Sequence, residues 1–522
     1  MGYSKTKKLT MSDQKTIWGH PRGLATLFFT EMWERFSYYG MRALLILFMA
    51  TAVSDGGLGF DDKTSGAIYG LYTMGVYLLA LPGGWLADRL FGLKKSVWYG
   101  GIIIALGHFT MGIPGILQVF SDTSERVELS ALDTNAFFLG LILIVIGTGL
   151  LKPNISSIVG QLYAPGDSKR DAGFSIFYMG INIGAFAAPL LTSSVAEYNW
   201  HLGFGLAGFG MVLGLIQYRL TAGTLADVGN APVFETVEEK DSQSTLKKVT
   251  TAIVGVLGLV LVFMFTGVIN VDASAIANYS GVVIAIVAFS YLGYIIVLGG
   301  LTPADRKKVI AMGIVFIFSA VFWSGFEQAG STLNLFAERF TDRTMFGWEM
   351  PAGYFQSVNS TFIILFAPFF GAMWIYLAKR NLEPSSPLKF AFGLFGVAAG
   401  FFVMYFAAKI AASGEMAAPT WLIFTYLFHT FGELSLSPVG LSLTTKLAPK
   451  GYQGQMMGIW FLSVALGNLL AGIIAGEASG GDADALANMP SQYITIVLTT
   501  FGAALLLLAL NKPLRKLMGD VH

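Results

Sequence analysis

Residues 23–53 read GLATLFFTEMWERFSYYGMRALLILFMATAV, a run long enough to cross a bilayer that nonetheless carries Glu31, Glu34, Arg35 and Arg42 near its middle. A spanning α-helix needs about 20 mostly apolar residues, and a charge at the bilayer centre costs roughly 2.5–3.5 kcal/mol on insertion scales. Glu31, Glu34, Arg35, Tyr38, Tyr39 and Arg42 recur at helical steps, which at about 100° per residue puts them on one broad face. The segment reads as a helix with one polar wall, turned inward in a bundle.

The rest of the chain supports a membrane setting. It is 54% hydrophobic and 12% charged with a mean hydropathy of +0.63, outside the range in which a soluble surface can be covered with polar groups. Apolar spans are expected near 23–53, 63–88, 96–118, 136–160, 171–195, 202–221, 250–270, 277–299, 308–334, 354–378, 389–411, 418–446, 453–477 and 491–511. Arg89, Lys94, Lys95, Lys169, Arg170, Lys247, Lys248, Arg306, Lys307, Lys308, Lys379, Arg380, Lys389, Lys446, Lys450, Lys512, Arg515 and Lys516 fall on alternate connections, the side of the Lys-rich N-terminus. That bias places both termini in the cytoplasm; Lys63, Arg126, Arg339, Arg343 and Lys409 are the exceptions. The first residues lack an apolar core and cleavage site, so they read as a tail and not as a signal peptide. A formal charge of +1 points to no nucleic-acid partner, zero Cys removes thiolate chemistry, and five scattered His show no metal-ligand spacing. No cofactor or metal is expected.

The organisation that follows is a tail (1–22), six helices (23–221), a polar linker (222–249) carrying Glu235, Glu238, Glu239, Lys240 and Asp241, an inserted apolar hairpin (250–299), six further helices (300–511) and a second tail (512–522). The hairpin spans carry no charge and suit lipid. Two six-helix halves rocking about a midplane site is the arrangement expected of a transporter. The acidic segment from Phe120 to Asn135 has no functional reading.

Outside the first helix, the charges within spans are Lys152, Glu327 and Glu433. Fixed salt bridges that lock helices are the competing explanation, but packing in membranes is usually supplied by small residues, and a cavity explains why so many ionisable groups are kept. Cations for a carboxylate and acids for an ammonium suit a zwitterion.

Glu31-Met-Trp-Glu34-Arg35-Phe36-Ser37-Tyr38-Tyr39-Gly40 resembles the E-x-x-E-R-F-x-Y-Y-G signature of the proton-dependent oligopeptide transporters, a branch of the major facilitator superfamily. Leu151-Lys152-Pro153-Asn154, the Phe174 to Gly184 stretch, Phe322-Trp323-Ser-Gly-Phe326-Glu327-Gln328, Gln356-Ser357-Val-Asn359, Gly432-Glu433-Leu434-Ser435 and Met457-Gly-Ile-Trp460-Phe461 extend the likeness through both halves. Gly84-Trp-Leu86-Ala87-Asp88-Arg89, with Gly92, Lys94 and Lys95, resembles the general superfamily signature, which implies a cytoplasmic gating latch at Asp88 and Arg89.

The resemblance implies an all-α, multi-pass carrier of the bacterial inner membrane: a proton-coupled symporter importing di- and tripeptides by alternating access, acting as a monomer. It implies that Arg35 and Lys152 hold the peptide carboxylate, that Tyr38, Tyr39, Tyr77, Tyr178 and Asn182 line one side of the pocket, and that Glu433 meets the amino end. Trp323, Asn359 and Trp460 complete the other side. Coupling is expected from Glu327 pairing with Arg42 and from Glu31 and Glu34 exchanging charge with Lys152. Two departures stand out: Gly70 occupies a position where animal members carry His, and Ser360 follows Asn359 where the family usually has Pro. His429, one turn before Glu433, reads as a packing or hydrogen-bonding residue. Pro82, Pro153, Pro368 and Pro438 mark points where helices can bend. A carrier of nitrate or another small anion or zwitterion, or a receptor without flux, is the alternative. Nothing in the chain points to an enzyme.

Overall fold

The computed structural model describes residues 16–17, 19–121, 130–164, 167, 169–226, 228–231, 237–268, 272–345, 347–478 and 483–519. Most of the N-terminal tail, the 122–129 part of the acidic segment with Arg126, and Glu235 lie outside the described residues.

The chain is a succession of long helices: α1 (Arg22–Ala50), α2 (Asp62–Leu78) running on into α3 (Ala80–Leu86), α4 (Leu93–Ser121), α5 (Ala131–Gln161), α6 (Arg170–Ala196), α7 (Trp200–Thr221), α8 (Val237–Phe265), α9 (Ala273–Leu298), α10 (Pro303–Phe326), α11 (Thr332–Phe340), α12 (Gln356–Lys379), α13 (Ser386–Ala412), α14 (Thr420–Leu447), α15 (Gln453–Ala478), α16 (Ala483–Ala509) and α17 (Asn511–Met518). Twelve helical segments among the described residues are long and apolar enough to cross a membrane. Helices α1 and α14 are as long, at 29 and 28 residues, and differ in being the ones interrupted by Glu31, Glu34, Arg35 and Arg42 or by His429 and Glu433. A 29-residue helix rises about 43 Å, more than the roughly 30 Å of a hydrocarbon core. The protein is a multi-pass membrane protein.

Helix starts follow local chemistry. Asp61 caps α2 through Thr64 N, Ser130 and Asp133 form a capping box on α5, and Asn199, Asp272 and Thr302 cap α7, α9 and α10. One boundary departs from expectation: α8 begins at Val237, so the last part of the stretch read as linker is helical. Glu238, Glu239, Lys240 and Gln243 are good helix formers, with the acids at the positive end of the helix dipole.

Helix α1 packs on α6 and α7, α4 on α5 and α7, α13 on α14 and α16, and α10 on α15. The two groups meet mainly where α2 crosses α15 and α6 crosses α12. The first crossing is made by glycines. A Cβ on Gly66 would lie 2.4 Å from the Gly472 carbonyl oxygen, and one on Gly472 would lie 2.5 Å from Gly70 Cα, so only bare backbone fits. Gly70 belongs to this contact, which explains why a bulky His has no room there. Helix α9 buries Ala277, Ile284, Ala288, Leu292 and Ile295 on α2, α10 and α15, while the described side chains of α8 are mostly exposed.

At the membrane face where α1 ends and α2 begins, further bonds join the two groups. Arg339 forms a bidentate pair with Asp62 at 2.7 Å for each bond. Asn334 Nδ2 donates to the Ala43 carbonyl at 2.8 Å, Ser194 and Tyr354 hydroxyls meet at 2.6 Å, and Ser357 Oγ donates to the Phe186 carbonyl at 2.7 Å. The molecule is closed on this face.

Candidate functional site

The polar wall of α1 is buried. Glu31, Glu34, Arg35, Tyr38 and Arg42 are each at most 7% exposed. Arg35 is engaged by its own helix: Nη2 donates to Glu34 Oε1 at 2.7 Å, Nε pairs with Glu34 Oε2 and stands 3.3 Å from Glu31 Oε1, and the guanidinium lies 5.0 Å from the Tyr38 ring centroid. Glu31 Oε2 is buried without a hydrogen-bond partner. A buried ion pair of this kind survives only when most of its lone pairs and protons are satisfied.

Lys152 stands apart. Its Nζ lies 4.0 Å from the centroid of Tyr77, and among the described residues no carboxylate reaches ion-pair distance of it. The structure therefore brings Lys152 to Tyr77 but does not pair it with Glu31 or Glu34. Pro153 after it and Asn154 Nδ2, bonded to the Leu150 carbonyl at 2.6 Å, fix the local turn of α5.

The second group of helices supplies two carboxylates in contrasting states. Glu327 sits where the long span is broken: α10 ends at Phe326, Glu327–Gly330 form a 3-10 turn, and α11 resumes at Thr332. Glu327 Oε2 accepts from Arg42 Nη2 at 2.6 Å, and Arg42 Nε donates to Tyr69 Oη at 2.7 Å. Among the described residues no cation pairs with Glu433: its Oε2 accepts from Asn359 Nδ2 at 3.2 Å, and Asn359 also reaches Thr430 Oγ1 at 2.9 Å. Non-helical backbone at membrane depth is tolerated where it is enclosed by protein or lines a cavity, and the Glu327 turn meets that condition.

Other expected residues divide. Asn182 is buried, with Nδ2 on the Tyr178 carbonyl at 3.0 Å, while the Tyr178 side chain is exposed. Trp323 is packed edge-on against Phe322 and Phe326 with its indole Nε1 buried and unpartnered. Trp460 is placed in packing and not on a pocket wall: it is 2% exposed, fills the space left at Gly440, and lies edge-on to Phe390. His429 is wedged against Phe401, Phe326 and Gly400.

Asp88 and Arg89, expected to form a gating latch, make no such contact in this structure. Both lie exposed in a π-helical turn, Ala87–Phe91, and among the described residues neither forms an ion pair. Contact at this turn comes from Lys94, whose Nζ donates to Asn230 Oδ1 at 3.0 Å and to the Ala226 carbonyl. Tyr69 was missed by sequence reasoning because a tyrosine in a span usually packs or anchors; its hydroxyl position opposite Arg42 is visible only in three dimensions.

The model of the POT family matches residues 94–489. The chain belongs to the POT family. It is similar to a peptide transporter of Yersinia enterocolitica, 42% identical over 517 residues and covering 97% of each chain. It is also similar to a di-/tripeptide transporter of Lactococcus lactis, 35% identical over 526 residues, 98% of this chain and 99% of the other. Among solved structures, a POT peptide transporter in complex with sulfate matches with a TM-score of 0.84 at 39% identity, covering 97% of both chains. The POT fold is thus shared along nearly the full length, and the family is one of secondary transporters and not of enzymes.

Proposed function

We propose that this protein is a proton-coupled symporter that imports di- and tripeptides across the cytoplasmic membrane by alternating access, with both termini cytoplasmic and the monomer as the working unit. The observation that carries the reading is the pattern of pairing in the cavity residues. Among the described residues, Lys152 is a cation without a carboxylate and Glu433 a carboxylate without a cation. A peptide zwitterion supplies both missing partners, and its two charged ends are common to every sequence, which favours breadth over selectivity. Nitrate would leave Glu433 unanswered.

On this reading the halves are 23–221 and 300–511, with 250–299 an insert between them and 222–249 their connection. The closed face is periplasmic. Glu327 and Arg42 tie the halves together beneath that face while Glu327 is ionised. A proton on Glu327 removes the charge that holds Arg42, so the tie is present in one protonation state and absent in the other. Inward flux then follows from the proton gradient, whose electrical part is worth about 2.3 kcal/mol per charge per 100 mV.

The test is uptake of labelled dialanine into proteoliposomes with an imposed inward proton gradient, with peptides, free amino acids and nitrate as competitors. Accumulation blocked by peptides alone is expected. Glu327→Gln is expected to keep peptide exchange in the absence of a gradient and to lose accumulation. Competition by nitrate alone would defeat the peptide assignment, and undiminished accumulation by Glu327→Gln would defeat the coupling assignment.

A further inference from the structure

The turn that carries Glu327 is held by more than Arg42. The carbonyl of Ala329, two residues on, accepts from Gln356 Nε2 at 2.5 Å and from Tyr426 Oη at 3.3 Å, and these two donors are themselves 3.2 Å apart. Gly330 closes the other side: a Cβ there would lie 2.1 Å from Tyr69 Oη and 2.6 Å from Arg42 Nε. The 3-10 turn is therefore clamped between α1 and α2 on one side and α12 and α14 on the other.

The same two helices build the surroundings of Glu433. Gln356 lies one helical turn before Asn359 on α12, and Asn359 donates to Glu433. Tyr426 lies one turn before Thr430 on α14; Thr430 Oγ1 donates back to the Tyr426 carbonyl at 2.7 Å and accepts from Asn359. Tyr426 is 1% exposed, so its hydroxyl cannot trade the Ala329 carbonyl for bulk water without movement of the turn. Each helix that shapes the Glu433 site thus sends one side chain to one carbonyl of the Glu327 turn.

Resting on the proposed peptide–proton reading, we infer that Gln356 and Tyr426 are positioning residues that couple the proton site to the peptide's amino-end site, through the carbonyl of Ala329. When the turn is released from Arg42 it moves with α12 and α14, and a ligand that fixes those helices at Glu433 fixes the turn. Without the two donors, Glu327 and Glu433 still function but respond to one another weakly.

The experiment compares wild type, Tyr426→Phe and Tyr426→Phe/Gln356→Leu in proteoliposomes, measuring dialanine exchange without a gradient and accumulation with one. For the double variant, exchange is expected within about threefold of wild type. Accumulation is expected to fall at least about tenfold, equivalent to about 1.4 kcal/mol of lost coupling. The ring-preserving Tyr426→Phe alone is expected to lower the accumulation-to-exchange ratio about threefold, and it serves if the double variant does not fold. An unchanged ratio in either folded variant, or a parallel fall in exchange and accumulation, overturns the inference and assigns these residues to packing. Failure of wild type to accumulate dialanine would instead remove the function it rests on.

Discussion

Replacing Gly472 by Ala tests whether the face closed here must open and shut on bare backbone. The new methyl would stand 2.4 Å from the Gly66 carbonyl oxygen and 2.5 Å from Gly70 Cα, where ordinary C···O contacts are about 3.3–3.6 Å. Helices α2 and α15 must therefore part by about 1 Å, and overpacking of this size costs roughly 1–3 kcal/mol. That penalty falls on the closed state alone, so the closed-to-open ratio drops about 5- to 150-fold. Helix propensity works the other way, since Ala is a better helix former than Gly by about 0.8–1.0 kcal/mol, and a loss of function therefore cannot be charged to a weakened α15. The chain has no native Cys, so a single reporter suffices. Ala43→Cys places it at a fully buried position beside the Asn334 bond on the closed face. Gly472→Ala in that background is expected to accelerate labelling by a membrane-impermeant thiol reagent at least fivefold and to depress dialanine accumulation. Gly205→Ala, where no atom lies within 4 Å of the new methyl, is the control. Wild-type labelling and uptake in Gly472→Ala would refute the glycine crossing as a gate.

Two further outcomes follow from the same face. Asp62→Arg and Arg339→Asp, each made alone, break a bidentate pair that is partly exposed; each is expected to raise labelling of the Ala43→Cys reporter about two- to fivefold, in line with ~1 kcal/mol or less, and the double swap to restore it. Asp61 caps α2, and the Thr64 backbone N–H, with help from the Thr64 hydroxyl and against slight burial, holds its carboxyl below the usual aspartate range. A depressed carboxyl stabilises the fold above its unfolded value and loses that effect as pH falls through the folded one. Asp61→Ala is therefore expected to cost about 1 kcal/mol at pH 7, with the gap to wild type in detergent thermal unfolding closing below about pH 4.

The span pattern was legible because apolar length and basic loops are one-dimensional signals: each expected span falls on helix, although 63–88 is shared by α2 and α3 and 308–334 runs across the turn between α10 and α11. The face shared by Glu31, Arg35, Tyr38 and Arg42 was equally readable, since helical spacing alone sets it. What could not be read is which groups satisfy each other. The break at Glu327–Gly330 contains no Pro, and only the partners of Ala329 and Arg42 reveal why the helix stops there. The crossing glycines Gly66, Gly70 and Gly472 are three among 62, distinguishable only by what lies opposite. Trp460 and Tyr426 illustrate the same limit in opposite directions: an aromatic expected on a pocket wall is packed in this structure, and one that the sequence did not single out holds a carbonyl of the Glu327 turn.

Arg35 Nε and Nη2 are committed to Glu34, with Glu31 Oε1 3.3 Å from Nε, whereas Lys152 has no carboxylate at ion-pair distance among the described residues. On the proposed function, protonation of one of the two glutamates would release Nε and Nη2 for a bidentate hold on a peptide carboxylate without moving a helix. Glu31 is placed to take that proton, because its Oε2 is buried with no donor competing for it. Binding a carboxylate at Arg35 and protonating the Glu31–Glu34 pair are then linked events, each favouring the other by the same factor. A peptide lacking its carboxylate, such as a dipeptide amide, should therefore lose both direct affinity and the pull of its binding on proton uptake.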